Sequence, residues 1–329
     1  MNESKRQRIV IITGPTATGK TDAAVDFAEN HGGEIVSADS MLVYRHMDIG
    51  TAKPTKEQMQ RVPHHMVDVA DPSEDFSAAR WQKGASAAIE GILSRGKLPV
   101  IAGGTGLYIR SLLYPMSFAG AKPDGAVRQK WADFLLENGQ EKLHTRLAQI
   151  DPASAARLPA GDTRRIIRAL EIYDITGRTL SERMLEDAKR PPMYEALTMG
   201  ISLPRELLYD RINRRVDAMI EAGLVDEVRA ILAMGVPSSA TSMQGLGYKE
   251  IAEYIYGERS FDEAIDNLKR RTRNFAKRQI TWFKKYEDIA WLEVTAFEKL
   301  EKGDILAFFD ESYHSFARCD IIGRNFIGR

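Results

Sequence analysis

The chain has 329 residues, with 46 Lys+Arg against 46 Asp+Glu and therefore no net charge. A prior of about 150 residues per domain gives two domains, and the charge balance excludes a uniformly basic nucleic-acid coat while leaving local patches open. Hydrophobic residues make up 43% and charged residues 28%, a globular composition with enough apolar surface for a sizeable core.

Residues 9–12 (Ile-Val-Ile-Ile) are a short β-branched apolar run and read as a buried parallel strand. Residues 20–30 (KTDAAVDFAEN) follow as a helix with Ala24, Val25, Phe27 and Ala28 on one face, stopped by Gly32-Gly33. Further apolar runs at Ile35–Ala38, Met66–Val69, Pro99–Ala102 and Thr198–Leu203 read as strands, with a helix over 77–94 between the second and third of them. Strands alternating with helices predict βαβ units: an α/β class with a mostly parallel sheet covered on both faces. From Pro123 to about Pro192 the helical period takes over (WADFLLENG, EKLHTRLAQI, DTRRIIRALEIYDITG), which predicts an all-helical insertion at 120–193. The core is then discontinuous, 1–119 and 194–295, with helices over 205–286 broken by glycines. Residues 296–329 read as a C-terminal tail with one short helix.

Within this frame, Gly14-Pro15-Thr16-Ala17-Thr18-Gly19-Lys20-Thr21 satisfies G-x-x-x-x-G-K-[ST] between a predicted strand and a predicted helix. Two glycines let the loop wrap with its N–H groups pointing inward, and the helix adds its positive N-terminal end. Lys20 supplies a cation for the terminal phosphates and the Thr21 hydroxyl a ligand for Mg²⁺. The motif alone does not choose between triphosphate and diphosphate. An ATPase of this type ends a second strand in an acid, whereas Leu98–Ala102 runs into Gly103-Gly104-Thr105-Gly106. The nearby strand-end acids are Asp39 and Asp68. Strand ends in such sheets share one crevice, so Asp39 and Thr105 are expected to converge on the phosphates. The only cysteine, Cys319, excludes an intrachain disulfide framework and a cysteine-rich zinc site. His64 and His65, adjacent and without further ligands, read as structural. The apolar run after the N-terminal charges is too short for a signal peptide or a span, so a cytoplasmic protein without membrane association is expected.

The segments GPTATGKT (14–21), SADSMLVYRHMDIGTAKP (37–54), PHHMVDVADP (63–72) and VIAGGTGLYIRSLL (100–113) together resemble the bacterial tRNA dimethylallyltransferase (IPP transferase) family. So do RRIIRALEIYDITGR (164–178), LYDRINRRVDAMIEAGLVDEV (208–228), QGLGYKEI (244–251) and KRQITWF (277–283). The resemblance implies a P-loop core with a helical insertion. It also implies transfer of a dimethylallyl group from dimethylallyl diphosphate to N6 of the adenosine next to the anticodon, position 37, with release of diphosphate and Mg²⁺ as cofactor. The phosphate loop would then grip a leaving group, which needs no ATPase acid. By this resemblance Lys20, Asp39 and Thr105 are catalytic. Asp39 is a base for the amine or, alternatively, a metal ligand; Arg211 reaches the diphosphate or lies on a solvated helix face. Ser40, Met41 and Leu42, with Asp39 and Thr105, face the target nucleotide.

Between Asp266 and Glu287 there is no acid. Lys269, Arg270, Arg271, Arg273, Lys277, Arg278, Lys284 and Lys285 fall there, interleaved with Phe275, Trp282, Phe283 and Tyr286. Cations with stacking aromatics suit a single-stranded loop. In the insertion, Arg164, Arg165 and Arg168 fall on roughly one side of a helix whose apolar face carries Ile166, Ile167, Leu170 and Ile172; the alternative is a surface helix with Arg168 and Glu171 paired. The resemblance assigns tRNA contact to Arg128, to Arg164, Arg165, Ile166, Ile167 and Arg168, and to Lys277, Arg278, Gln279 and Trp282. It also places Gly245–Tyr248 near the RNA. The partner is thus the anticodon stem-loop of tRNA, and the enzyme is expected to be a monomer. The competing classes are a P-loop nucleotide kinase or ATPase, which would hydrolyse ATP; an adenylate isopentenyltransferase, which would need neither the insertion nor the basic segment; and a bare RNA-binding module, which leaves Lys20, Thr21 and Asp39 without a use.

Overall fold

The computed structural model describes residues 6–114, 116, 124–294 and 302–318. The chain divides into two compact units, Leu113–Met193 and the remainder.

The larger unit carries one six-stranded sheet. Its strands are β1 (Arg8–Thr13), β2 (Gly33–Ser37), β3 (His64–His65), β4 (Leu98–Ala102), β5 (Glu195–Ser202) and β6 (Ile289–Glu293), in the spatial order β3-β2-β4-β1-β5-β6. Every pairing is parallel. Helix α1 (Lys20–Asn30) follows β1, and α2 (Lys56–Arg61), α3 (Ala78–Ser94) and α4 (Gly106–Leu113) accompany β3 and β4. Ile9, Val10, Ile11 and Ile12 are wholly buried, as both faces of a central parallel strand require. The chain leaves β1 toward β2 on one side and, after β4, crosses to β5 on the other. The order therefore reverses between β1 and β4, the place where such sheets open a ligand crevice at their carboxyl ends.

Two departures from the sequence reading concern short strands. Met66–Val69 is not a strand: Met66 and Asp68 take positive φ (63° and 55°), a conformation no ladder accepts, and only the two histidines before them pair with β2. Strand β6, absent from the sequence reading, pairs with β5 from Thr198↔Ile289 to Ser202↔Glu293. Beyond it, α13 (Lys302–Arg318) is part of the core: Phe309 is fully buried and packs edge-on against Phe27 of α1, and Asp310 meets His31 at 2.8 Å. The rest of the expected tail, 296–301 and 319–329 with Cys319, lies outside the described residues, as do 117–123 at the expected start of the insertion.

The smaller unit contains α5 (Gly125–Ile150, broken at Gly139, φ 80°), α6 (Pro152–Arg157), α7 (Thr163–Thr176) and α8 (Leu180–Ala188). Its core is Trp131, Leu143, Leu147, Ala155, Ile166, Ala169 and Leu170. The unit begins at Leu113, seven residues ahead of the boundary at 120 read from the sequence.

The larger unit continues as α9 (Arg205–Glu221), α10 (Leu224–Ala233), α11 (Tyr248–Ile255) and the 23-residue α12 (Phe261–Phe283). Ser260 and Glu263 start α12 with a reciprocal capping box, which satisfies two orphan N–H groups.

Candidate active site

At the β1/β4 reversal a cleft of about 310 Å³ is lined by Thr16, Ala17, Gly19, Lys20 and Thr21 of the loop, by Ser37, Asp39 and Leu42 after β2, and by Gly103 after β4. The loop is braced from within: Thr18 Oγ1 donates to the Pro15 carbonyl at 3.0 Å, and Lys20 Nζ to the same carbonyl at 3.2 Å. Burial brings the Lys20 ammonium down from 10.5 to about 8, with Asp39 opposing the fall and Arg215 adding to it.

The β2 and β4 loops are tied to each other. A Cβ on Gly103 would stand 2.4 Å from the Ala38 carbonyl, so only glycine allows the approach. Thr105 N then donates to that carbonyl at 3.0 Å, and the Thr105 hydroxyl accepts from Ser40 N at 3.1 Å. Asp39 Oδ1 accepts from Met41 N at 2.8 Å, an Asx turn that fixes the carboxylate in the cleft. Asp39 and Thr105 are therefore joined through one loop pair, but of the expected strand-end residues only Asp39 lines the cleft; Thr105 stands behind it and Asp68 lies elsewhere. Asp68 instead holds Lys53, which also reaches Asp48 and the Tyr44 carbonyl.

Two basic residues of α9 reach the cradle. An Arg211 guanidinium nitrogen comes within 3.7 Å of where a Cβ on Gly19 would be. Arg215, one helical turn on and not singled out in the sequence, lines the cleft itself. Its pKa is lowered by burial, with Asp39 opposing and Arg211 reinforcing. The signal for it was present, since residues four apart share a helix face.

Gln279 has a different place from the one the sequence suggested. It is buried in α12, where Oε1 accepts from Thr16 N at 2.9 Å and Nε2 donates to the Gly104 carbonyl at 2.9 Å. Both ends of its amide clamp the phosphate loop to the β4 loop, a positioning role at the cleft wall that the sequence does not suggest. Trp282, one turn further, lies against Gly106, where a Cβ would come within 2.2 Å of the indole. Lys277 and Arg278 on the same helix are exposed. Other cations of the segment are paired: Lys269 with Asp217 at 2.6 Å, Arg271 with buried Glu250, and Arg273 with Asn213 at 2.7 Å.

In the smaller unit Ile166 is wholly buried, which removes it from the expected RNA contacts, and Ile167 is half-buried against the same core. Arg128 and Arg168 converge on Glu171, a fully buried carboxylate that also accepts from Asp124 N. Burial would raise its pKa, but Arg168, Asp124 N and Arg128 bring it below the usual range. Arg168 is thus held by Glu171 and only partly exposed, and Arg164 and Arg165 are the fully exposed cations of α7. Their shared face is narrower than the sequence implied.

The loop 44–54, whose Thr51, Ala52 and Pro54 line the cleft, is anchored from outside by Glu227 of α10. Its carboxylate accepts from Asp48 N and Ile49 N at 2.8 Å, Gly50 N at 3.1 Å, and the hydroxyl of buried Tyr248 at 2.6 Å. Tyr248, expected near the RNA, is fully buried by this contact. Hydrogen bonds to a charged group contribute about 1.5–3 kcal/mol each and do not add fully. Glu227→Ala should therefore destabilise the chain by about 3 kcal/mol and raise the KM for the cleft's ligand, whereas Tyr248→Phe should cost about 1 kcal/mol. Urea unfolding of the two variants checks this; equal midpoints for Glu227→Ala and the parent chain would contradict the anchor.

Among the described residues no helix is long and apolar enough to cross a membrane. A Gly-rich loop and following helix at the reversal of a parallel sheet, facing a carboxylate, define a P-loop α/β protein that binds phosphoryl groups. The sequence profile of the IPP transferase family matches residues 42–286, and that of isopentenyl transferase matches residues 7–70. The chain is 48% identical to a tRNA dimethylallyltransferase of Acetivibrio thermocellus over 89% of this chain and 94% of that one. A solved structure of a tRNA isopentenylpyrophosphate transferase from Bacillus halodurans is similar with a TM-score of 0.70 and 40% identity, over 96% of this chain and 99% of the other. A eukaryotic dimethylallyltransferase acting on tRNA aligns with a TM-score of 0.79 at 27% identity, over 98% and 81%. This chain belongs to the IPP transferase family.

Proposed function

We propose that this protein is a tRNA dimethylallyltransferase, moving a dimethylallyl group from its diphosphate to N6 of the adenosine at position 37, beside the anticodon. The observation that carries the reading is the cleft itself. Lys20 and Arg215 line it together with the carboxylates Asp39 and Asp22, Arg211 lies beside Gly19 of the loop, and the strand end that would hold a hydrolytic acid carries Gly103-Gly104-Thr105. The allylic C1–O bond breaks as the N6–C1 bond forms, the electron pair leaves on diphosphate, and the N6 proton passes to Asp39. Donors fixed in advance around the diphosphate stabilise the charge that develops there. The Thr21 hydroxyl in the cleft suits Mg²⁺, which supplies further positive charge to the diphosphate oxygens when bound. Thr105 orients the Asp39 loop through Ser40.

A flipped loop adenine can reach such a cleft by its Watson–Crick edge. Exposed Lys277 and Arg278 of α12, and Arg164 and Arg165 of α7, offer charge to the anticodon stem-loop. Mixing the protein with Mg²⁺, dimethylallyl diphosphate and unmodified tRNA should give prenylated adenosine and diphosphate, with none from AMP and no phosphate from ATP. Brisk ATP hydrolysis with untouched tRNA would sink the reading. Replacing Lys277 and Arg278 together by Ala should weaken tRNA binding and lower the salt slope of log K by about 1.4, at roughly 0.7 per single-strand phosphate contact; filter binding at several salt concentrations measures it.

A further inference from the structure

The cleft contains two buried polar atoms that the cradle does not use. Ser37, the last residue of β2, is 2% exposed, and its Oγ has no hydrogen-bond partner. Its carbonyl is taken by Trp81 Nε1 at 2.9 Å. His64 of β3 places Nδ1 2.7 Å from the Val62 carbonyl. A carbonyl only accepts, so Nδ1 carries the proton and Nε2 presents a lone pair. That Nε2 is also buried without a partner. Both residues line the cleft that Thr21 lines.

The sheet explains why they share a face of the cleft. His64 is in register with Ile35, and Ser37 follows Ile35 by two positions, so all three side chains project from one face. A strand spacing of about 4.8 Å and a two-residue rise of about 6.7 Å put the Ser37 and His64 Cα atoms about 8 Å apart. Side chains at that spacing are bridged by water-sized groups. Buried polar atoms are nearly always satisfied in native proteins, so an orphaned pair in a ligand cleft marks something bound between them.

The chemistry of the pair selects the ligand. A phosphate oxygen needs a donor, and His64 Nε2 in this tautomer only accepts. A hydrated divalent cation presents water protons, which need acceptors, and Mg²⁺ retains several waters. Among the described residues no cluster of three His, Cys, Asp or Glu side chains could strip that water away; Thr21 offers a hydroxyl. We propose that Ser37 Oγ and His64 Nε2 form an outer-sphere wall, holding through its waters the divalent cation that enters with the diphosphate at Thr21. The proposal deepens the diphosphate reading of the cradle and rests on it.

The full chain with saturating inorganic diphosphate, titrated with Mn²⁺ and followed by the EPR signal of free Mn²⁺, tests the wall. Outer-sphere partners of a metal govern about 10- to 100-fold in affinity. Ser37→Ala and His64→Phe should each weaken Mn²⁺ binding about tenfold, and His64→Gln, which restores an acceptor, should recover part of the loss. Metal-free diphosphate binding by calorimetry should match the parent chain in each variant; the unfolding midpoint should match it in Ser37→Ala and fall slightly in His64→Phe, which gives up the Val62 hydrogen bond. Unchanged Mn²⁺ affinity in Ser37→Ala and His64→Phe overturns the proposal. So does unchanged Mn²⁺ affinity accompanied by lost binding of an allylic diphosphate bearing a tail hydroxyl, which would make the pair a tail pocket. Failure of the parent chain to bind diphosphate any better than Lys20→Ala overturns the cradle reading instead, so the two failures are distinguishable.

Discussion

Lys20→Ala should reduce prenyl transfer at least about a hundredfold while leaving tRNA binding within a fewfold. The loss of one donor aimed at developing negative charge raises the barrier by about 3 kcal/mol, and Lys20 is the mobile cation of the cradle. Arg211 and Arg215 remain, but both stem from α9 and cannot replace an ammonium that sits at the start of α1 inside the loop. Single-turnover measurements with saturating tRNA separate this effect from binding; an equal fall in tRNA affinity would contradict a role at the leaving group. The same lysine predicts a pH limb. Its ammonium titrates at about 8 in the free protein, below the ordinary 10.5, because burial disfavours the charged form. Diphosphate binding draws on that charge. Donor affinity should therefore be full below pH 8 and fall as pH rises through it, approaching tenfold per unit beyond. A profile flat from pH 7 to 9.5 would remove Lys20 from donor binding.

What could be read from the sequence was what depends on neighbours in the chain. The strand Ile9–Ile12, the loop Gly14–Thr21 and the helix from Lys20 are one contiguous signal, because the motif needs the strand before it and the helix after it. Asp39 was accessible because it follows an apolar run and parallel strand ends share a crevice, whereas Thr105, which ends another such run, supports the Asp39 loop without lining the cleft. The contacts that depend on distant packing were not legible. Gln279 stands 263 residues from Thr16, inside a motif whose cations Lys277 and Arg278 are exposed, and nothing local says that its amide clamps two loops. Glu227 is one acid among 46; its role needs three consecutive N–H groups from residues 48–50, which only the folded loop presents. The burial of Ile166 was legible in the helical period it shares with Leu170 and Ile172, and the resemblance alone placed it on RNA. The Arg168–Glu171 pair was legible at its i,i+3 spacing, but that Glu171 is fully buried and also draws in Arg128 was not. The sequence reads both His64 and His65 as structural; His65 pairs with buried Glu34 at 2.7 Å, and His64 pairs in β3 and holds the Val62 carbonyl while also lining the cleft, which the sequence does not reveal.

Asp39→Asn should lower the rate of transfer by 10² to 10⁴, the range a positioned base contributes, with little change in the KM of either substrate. The side chain is isosteric, and the carbonyl oxygen of the amide can still accept from Met41 N, so the Asx turn and the loop pair with Thr105 survive. What is lost is a negative charge facing the amine. As N6 bonds to carbon it becomes cationic and acidic, and a carboxylate both attracts that charge and takes the proton; an amide does neither. The charge matters to the cradle as well, because Asp39 is the group that supports the Lys20 ammonium against its burial. Its removal should shift the pH limb of donor binding below the parent's value of about 8, since the opposing field is gone while burial remains. The two consequences divide the candidate roles. A base predicts a large fall in single-turnover rate with unchanged Mn²⁺ affinity for the diphosphate complex, and a metal ligand predicts the reverse. A variant that keeps its rate at saturating Mg²⁺ but needs much more metal to reach it would move Asp39 from the amine to the cation, and the proton would then have to leave N6 by another route.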